Sequence, residues 1–359
     1  MRILLCVFFL LPLQPICSQT TPLNVSAYIS SPRRALVAPE LPEIDDYWVA
    51  NSFAWVNGIL ASYPPSLTET PARRPALQRL DDIFHMRSAP LRPSVLSFLQ
   101  KRIDMAVLQM EQNKNENELR IWKLYNAGFV VRSGDLTIGF DLIPGVPGTD
   151  CKISQEAISR LVAQVDVLFI SHEHTDHASL EMAEAFVRAG KTVIAPTGLW
   201  SNLPVSKQII YPARSADQSI PINIRNQSLA VTAYPGHQGP VLNNIYYVQF
   251  PDGESVIHTG DQDPDSDQSS DRQWLQNIGR QHHVNVLLVD CWYANVTELI
   301  AGVHPDIVLP GHEDELAHTV DHREDYAQTY ERFAQSSRPY VVMTWGESLQ
   351  IQRKIDDHN

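Results

Sequence analysis

Ser171-His172-Glu173-His174-Thr175-Asp176-His177 follows directly on the apolar run Val165-Asp166-Val167-Leu168-Phe169-Ile170 and precedes residues 180–189, whose apolar spacing is helical and which Gly190 closes. A short apolar run bounded by polar residues reads as a buried strand, so the unit is strand, loop, helix. Three histidines and one aspartate fall within residues 172–177 of that loop. On extended backbone alternate residues point the same way, so His172 and His174 can reach one ion together, while Asp176 and His177, where the chain turns, can face a second. Imidazole and carboxylate suit zinc and other first-row divalent ions. A polar surface loop with scattered histidines is the plainer alternative, and four ligand-type side chains crowded behind one apolar strand argue against it.

Three further strand ends carry a similar signature: Tyr234-Pro235-Gly236-His237, His258-Thr259-Gly260-Asp261 and Leu309-Pro310-Gly311-His312. Each sets a glycine beside a ligand-type residue where a strand stops. Glycine there permits a tight turn or close backbone approach, and the strand fixes the position of the residue that follows. Strand candidates at 192–195, 229–234, 245–250, 255–259, 286–290, 307–309 and 340–344 alternate with helical stretches. Upstream, residues 121–124, 129–131 and 136–140 flank Ser133-Gly134-Asp135 like a run of hairpin strands. We therefore expect one α/β domain over 120–359.

Earlier still the period becomes helical. Trp48, Phe53, Val56 and Leu60 recur at helical spacing, and 93–119 carries Val95, Phe98, Leu99, Ile103, Ala106, Val107 and Met110 as one apolar stripe. Residues 20–119 are thus expected to be a helical N-terminal extension. Met1-Arg2 and the apolar run 3–13 have the form of a secretory signal, too short to span a bilayer, which predicts a signal peptide over 1–19 and an exported, periplasmic or secreted protein. Cys17 offers a point of lipid attachment to a membrane. Cys151 and Cys291 are too few for a disulfide framework; one bridge between them, or two buried thiols, are the alternatives. The net charge of -13 repels a phosphate backbone and speaks against nucleic acid as a partner.

The order His-x-His-x-Asp-His, then His, Asp and a final His resembles the metallo-β-lactamase superfamily over residues 170–315. The resemblance implies an αββα sandwich of two sheets covered by helices. It also implies two divalent metal ions, zinc by default with Mn2+ or Fe2+ fitting the same ligands: one held by His172, His174 and His237, the other by Asp176, His177 and His312, with Asp261 bridging. Within the superfamily the hairpin start and the Pro-Gly-His ending look closest to the ascorbate-6-phosphate lactonase-like and N-acylphosphatidylethanolamine phospholipase-like branch.

The chemistry expected of such a site is hydrolysis by a metal-bound hydroxide of a lactone, ester or phosphodiester in a small-molecule or lipid substrate, with Asp176 orienting the water or carrying its proton. The rivals are a mononuclear iron thiol or persulfide dioxygenase and a non-catalytic protein that metals merely stabilise. Glu173, His258, Asp263, Asp290, Tyr293, Glu313 and His318 lie near the motifs. Of these, Asp290 is weighed as a carboxylate that orients a ligand histidine against a simple capping role, Tyr293 as a donor to an oxyanion against packing, and His258 as a buried, hydrogen-bonded ring. The acids of 261–267 lack the glycine and closing glutamate of an EF-hand loop, and a solvated acidic loop is the better reading.

Overall fold

Alternation along the strands dictates the architecture. On strand β2 (Phe129–Ser133) Phe129 and Val131 face one apolar cluster and Val130 another; β9 (Val241–Gln249), β11 (Val286–Asp290) and β12 (Ile307–Gly311) divide in the same way. Strands buried on both faces need a partner layer on each side. The result, seen in a computed structural model that describes residues 42–113, 118–263 and 269–352, is a four-layer sandwich of helices, sheet, sheet and helices. The candidate signal at 1–19, Cys17, Asp265 and Asp267 lie outside the described residues. No helix among those described is long and apolar enough to cross a membrane.

The first sheet starts from β13 (Glu347–Gln352) and runs β13-β1-β2-β3-β4-β5-β6, and the second runs β12-β11-β10-β9-β8-β7. In the first, β1 (Glu118–Lys123), β2 and β3 (Leu136–Phe140) form an antiparallel meander, and β4 (Val167–Phe169), β5 (Thr192–Ile194) and β6 (Ile209–Ile210) continue it in parallel. In the second, the long ribbon of β7 (Ser219–Ile224), β8 (Gln227–Gln238) and β9 leads into β10 (Ser255–His258), after which β11 and β12 are parallel. Phe140, Phe169, Tyr246, Val248, Leu288 and Leu309 belong to the core between the sheets. Helices Ser269–Gln281 and Val296–Val303 cover the second sheet.

Over the outer face of the first sheet lie helices Pro42–Ser62, Arg73–Phe84 and Pro93–Gln112, together with Gln155–Gln164 and Leu180–Arg188. Ser154 and Ser179 cap the last two by accepting from the main-chain N–H of Ala157 and Met182. Gly190 at φ +69° ends the second of them where a left-handed residue is needed. The helices of 42–112 share one continuous core with the sheet: Phe53 and Phe98 stack at 4.2 Å, Phe84 stacks on Trp345 at 4.5 Å, and Trp345 meets the Tyr125 ring edge-on at 4.9 Å.

Two elements differ from the sequence expectation. The helical stripe read through residue 119 stops at Gln112, because Leu119 and Ile121 are claimed by a strand paired on both sides, with β13 (Glu347–Gln352) and β2. Residues 340–344, expected to be a strand, make a single parallel bridge between Tyr340 and Val308, and pairing resumes only in β13. The polar composition of β13 hides it from a hydrophobicity reading. Its register against β1 and the buried Glu347 place it.

Candidate metal centre

The residues picked from strand ends gather at one end of the sandwich. The parallel strands β4, β10 and β12 deliver their C-terminal residues there, and the two sheets are pinned together at that point. Asn244 N–H donates to Ser171 O at 2.8 Å, and the Tyr246 hydroxyl donates to Ile170 O at 3.0 Å. Gly260 serves this junction: φ is +53°, and a Cβ would run into Asn243 and Ser171.

Two groups of ligand-type atoms result, each with all its atoms within 4.8 Å of one another: Asp176, His177, Asp261 and His312, and His172, His174 and Asp261. Asp261 belongs to both, as a bridging carboxylate would. His177 Nε2 lies 3.1 Å from Asp261 Oδ1 and 3.1 Å from His312 Nε2, while His312 Nε2 is 3.2 Å from Asp176 Oδ2. Two imidazole nitrogens face each other inside a ring of carboxylate oxygens, all of it buried, which suits a cation held between them. His172 is fully buried, yet its Nε2 has no hydrogen-bond partner; Asp261 Oδ2 stands 3.8 Å away. A buried nitrogen without a partner is costly unless a ligand occupies it. The donor set therefore fits divalent metal.

The tautomers fit as well. Asp141, wholly buried at the end of β3, accepts from Ser171 N at 2.7 Å, from Ser171 Oγ at 2.6 Å and from His177 Nδ1 at 2.8 Å. With the Ser171 proton committed to Asp141, the contact of His172 Nδ1 with Ser171 Oγ at 3.0 Å is a donation from the ring. Each Nδ1–H is thus engaged, which leaves each Nε2 facing the centre. Replacing the carboxylate in Asp141→Asn should weaken metal affinity about 10- to 100-fold with the fold intact, measured by competition with a chromophoric chelator.

Electrostatics push the two imidazole groups in opposite directions. Burial, reinforced by the neighbouring His177, drives His172 down to about 3, so it stands neutral and ready to ligate. Burial would also depress His312, but Asp261 and Asp176 more than offset it and raise it to about 10. His177 is raised for the same reason, by Asp261, Asp176 and Asp141 against the cost of burial. Burial opposes ionisation of Asp176 and Asp261, yet the surrounding imidazoles hold both well below the usual carboxylate range. Without metal, protons on His177 and His312 balance these carboxylates at neutral pH, and metal must displace them. Zinc added to the metal-free protein in weak buffer should therefore release protons, and apparent affinity should rise with pH; calorimetry in buffers of differing ionisation enthalpy reads both.

Among the sequence candidates, His237 ends β8 half-buried and falls outside both groups; its main chain accepts from Asp263 N at 2.8 Å and donates to Gln262 Oε1 at 2.9 Å. His258 is buried and stacks on Phe140 at 5.0 Å, a packed ring as expected. Asp290 caps the turn, accepting from Trp292 N at 3.1 Å; burial and the nearby Asp261 raise its pKa well above the carboxylate norm. The orienting role weighed for it is filled by Asp141, which sequence reading missed. Its signal, an acid directly after an apolar strand, was the same one that drew attention to Asp290. Tyr293 packs into the core beneath the outer helices of the second sheet, and Cys151 and Cys291 are separate buried thiols. His318 does join the centre: its Nε2 lies 3.5 Å from Asp176 Oδ2, and its ring sits 5.4 Å from His312 and 6.2 Å from the part-exposed Trp292.

The chain has the αββα sandwich of the metallo-β-lactamase fold. It is similar to the solved structure of Igni18, a metallo hydrolase from Ignicoccus hospitalis, with a TM-score of 0.51 and 18% identity over 66% of this chain and 100% of that one. Looser likenesses are to CmlA, a diiron β-hydroxylase from Streptomyces venezuelae (TM-score 0.45, 14% identity, 67% of this chain and 55% of that one), and to an isothiocyanate hydrolase from Delia radicum gut bacteria (TM-score 0.46, 11% identity, 65% and 99%). No protein-family model and no curated protein sequence matches the chain.

Proposed function

We propose that the protein is a metal-dependent hydrolase with a two-metal centre, His172 and His174 serving one ion, Asp176, His177 and His312 the other, and Asp261 both. The observation that carries this reading is the set of imidazole nitrogens and carboxylates converging on Asp261, all of them buried except His174. Bound there, divalent ions supply Lewis-acid polarisation of a carbonyl or phosphoryl oxygen and a water acidic enough to attack at neutral pH.

The protein's own groups do the rest. Asp141 and Ser171 fix the ring tautomers. Asp176, retained as a carboxylate by its imidazole neighbours, can take a proton from the attacking water at Oδ2 and return it to the leaving group. His318 Nε2, beside that same oxygen, and the Trp292 ring line the approach from solvent. Asp176→Asn should lower kcat about a hundredfold while some metal is retained, read from turnover and metal content of one sample. Full turnover with metal bound would remove Asp176 from the proton path.

For the scissile bond we propose a lactone, carboxyl ester or phosphodiester of a small or lipid substrate, the lactonase- and phospholipase-like branch being supported by sequence resemblance alone. Export is proposed on the leader-like residues 1–19. Elemental analysis, paired with a screen of lactones, esters, phosphodiesters and phospholipids before and after chelation, tests the reading. Two zinc or manganese ions with chelator-sensitive cleavage support it, one iron without hydrolysis favours a thiol dioxygenase, and absence of metal overturns it.

A further inference from the structure

We propose that the helices of residues 42–112 act as a positioning element for the metal centre, through a staple that His85 and Arg323 make between the Arg73–Phe84 helix and the loop after His312. The inference rests on Asp176, His177, Asp261 and His312 being the residues that hold metal.

The loop after β12 is held in an unfavourable backbone. His312 has φ +75° and Asp314 φ +54°, two non-glycine residues in the left-handed region within three positions. Such residues persist where the surroundings over-determine them. Here Glu313, Asp314 and Glu315 are all buried, and each is tied to a different element. Glu313 pairs with the buried Lys123 of β1, and Glu315 accepts from the Tyr125 hydroxyl at 2.7 Å. Asp314 meets His85, whose Nδ1 lies 3.1 Å from its Oδ1.

His85 is the residue that ends the Arg73–Phe84 helix, so this contact joins the metal loop to the N-terminal helices. Further bonds do the same. His85 Nε2 faces Arg323 O at 3.0 Å. The Arg323 guanidinium donates to Phe84 O and to Met86 O on the helix side, and to Leu316 O at 2.9 Å and His318 O at 3.0 Å on the loop side. Asp81, one turn earlier, accepts from Tyr326 N at 2.8 Å and Ala327 N at 3.2 Å, where the helix Tyr326–Phe333 begins. Residues 312–327, which carry both His312 and His318, are thereby referenced to that helix. Loss of His85 removes the imidazole that faces the buried Asp314 carboxylate, two residues from His312, together with the bond to Arg323 O, and frees the strained loop to relax. By linkage, metal that fixes His312 must also hold the 81–92 segment more tightly.

The test uses the full chain freed of metal, with zinc alone as the probe. Zinc affinity is measured by chelator competition for wild type, His85→Ala, Asp314→Asn and Leu77→Ala. The last variant hollows the core of the same helix away from the loop, and near-UV circular dichroism confirms the fold of each. We expect His85→Ala and Asp314→Asn to bind zinc about 10- to 100-fold more weakly, Leu77→Ala to bind like wild type, and zinc to slow amide exchange over 81–92 in wild type. Affinity in His85→Ala and Asp314→Asn within twofold of wild type, an equal loss in Leu77→Ala, or unchanged exchange over 81–92 would overturn the proposal alone. Failure of wild type to take up zinc would overturn the metal reading with it.

Discussion

On the proposed hydrolase reading, Asp261→Ala should lower hydrolysis roughly 10⁴-fold in kcat/KM, about 5.4 kcal/mol of transition-state stabilisation. The magnitude follows from its place in both ligand groups. In the proposed two-metal centre, loss of a residue serving one ion would leave the other in place, whereas loss of the shared carboxylate would deprive both of a ligand and remove the negative charge that His177 and His312 face. Metal content should fall below one ion per chain, measured on the same preparation by elemental analysis. Retention of two ions with wild-type turnover would show that Asp261 holds neither.

Arg73→Met should destabilise the fold by about 3–5 kcal/mol, the largest single-site stability effect we expect outside the hydrophobic core. Arg73 and Glu347 form a bidentate pair, both bonds 2.8 Å long, with exposures of 1% and 4%, and Arg73 also donates to Tyr63 O and Val342 O. Removing the guanidinium strands a buried carboxylate, which costs far more than the pair contributes. The double variant Arg73→Met with Glu347→Leu should recover much of the loss. Urea unfolding of wild type and the two variants decides it, and Arg73→Met within about 1 kcal/mol of wild type would refute the argument.

What sequence could convey about this protein was local. Strand-end signatures such as Leu309-Pro310-Gly311-His312 depend on a strand, a close approach and a ligand in succession, and period-two alternation identifies the strand. Six of the residues chosen in this way stand in the two ligand groups. Asp141 escaped because its role is defined by partners 30 and 36 positions away, Ser171 and His177, and nothing beside it in the chain reveals them. His318 was marked only by its nearness to the motifs; the turn after Asp314, which brings it back over Asp176, is what makes it relevant. Pro42–Ser62 and Pro93–Gln112 were legible as helices from their apolar spacing, whereas Arg73–Phe84 was covered only by the general expectation of a helical extension. Their union with the sheet was not legible, since Phe84 against Trp345 and His85 against Asp314 are long-range packing choices that periodicity does not encode.

The pairing of β13 with β1 has a consequence for how the chain assembles. Arg73 and Glu347 are 274 residues apart, and Trp345, on which Phe84 stacks, is synthesised among the last residues of the domain. The helices of 42–112 thus leave the ribosome long before the segment that seals them, and Phe53, Phe84 and Phe98 must wait with their apolar faces open. Contacts of such high sequence separation form slowly and expose sticky surface meanwhile. A nascent chain cut short before residue 345 would lack the seal, so truncation near the C-terminus should yield a product that chaperones retain.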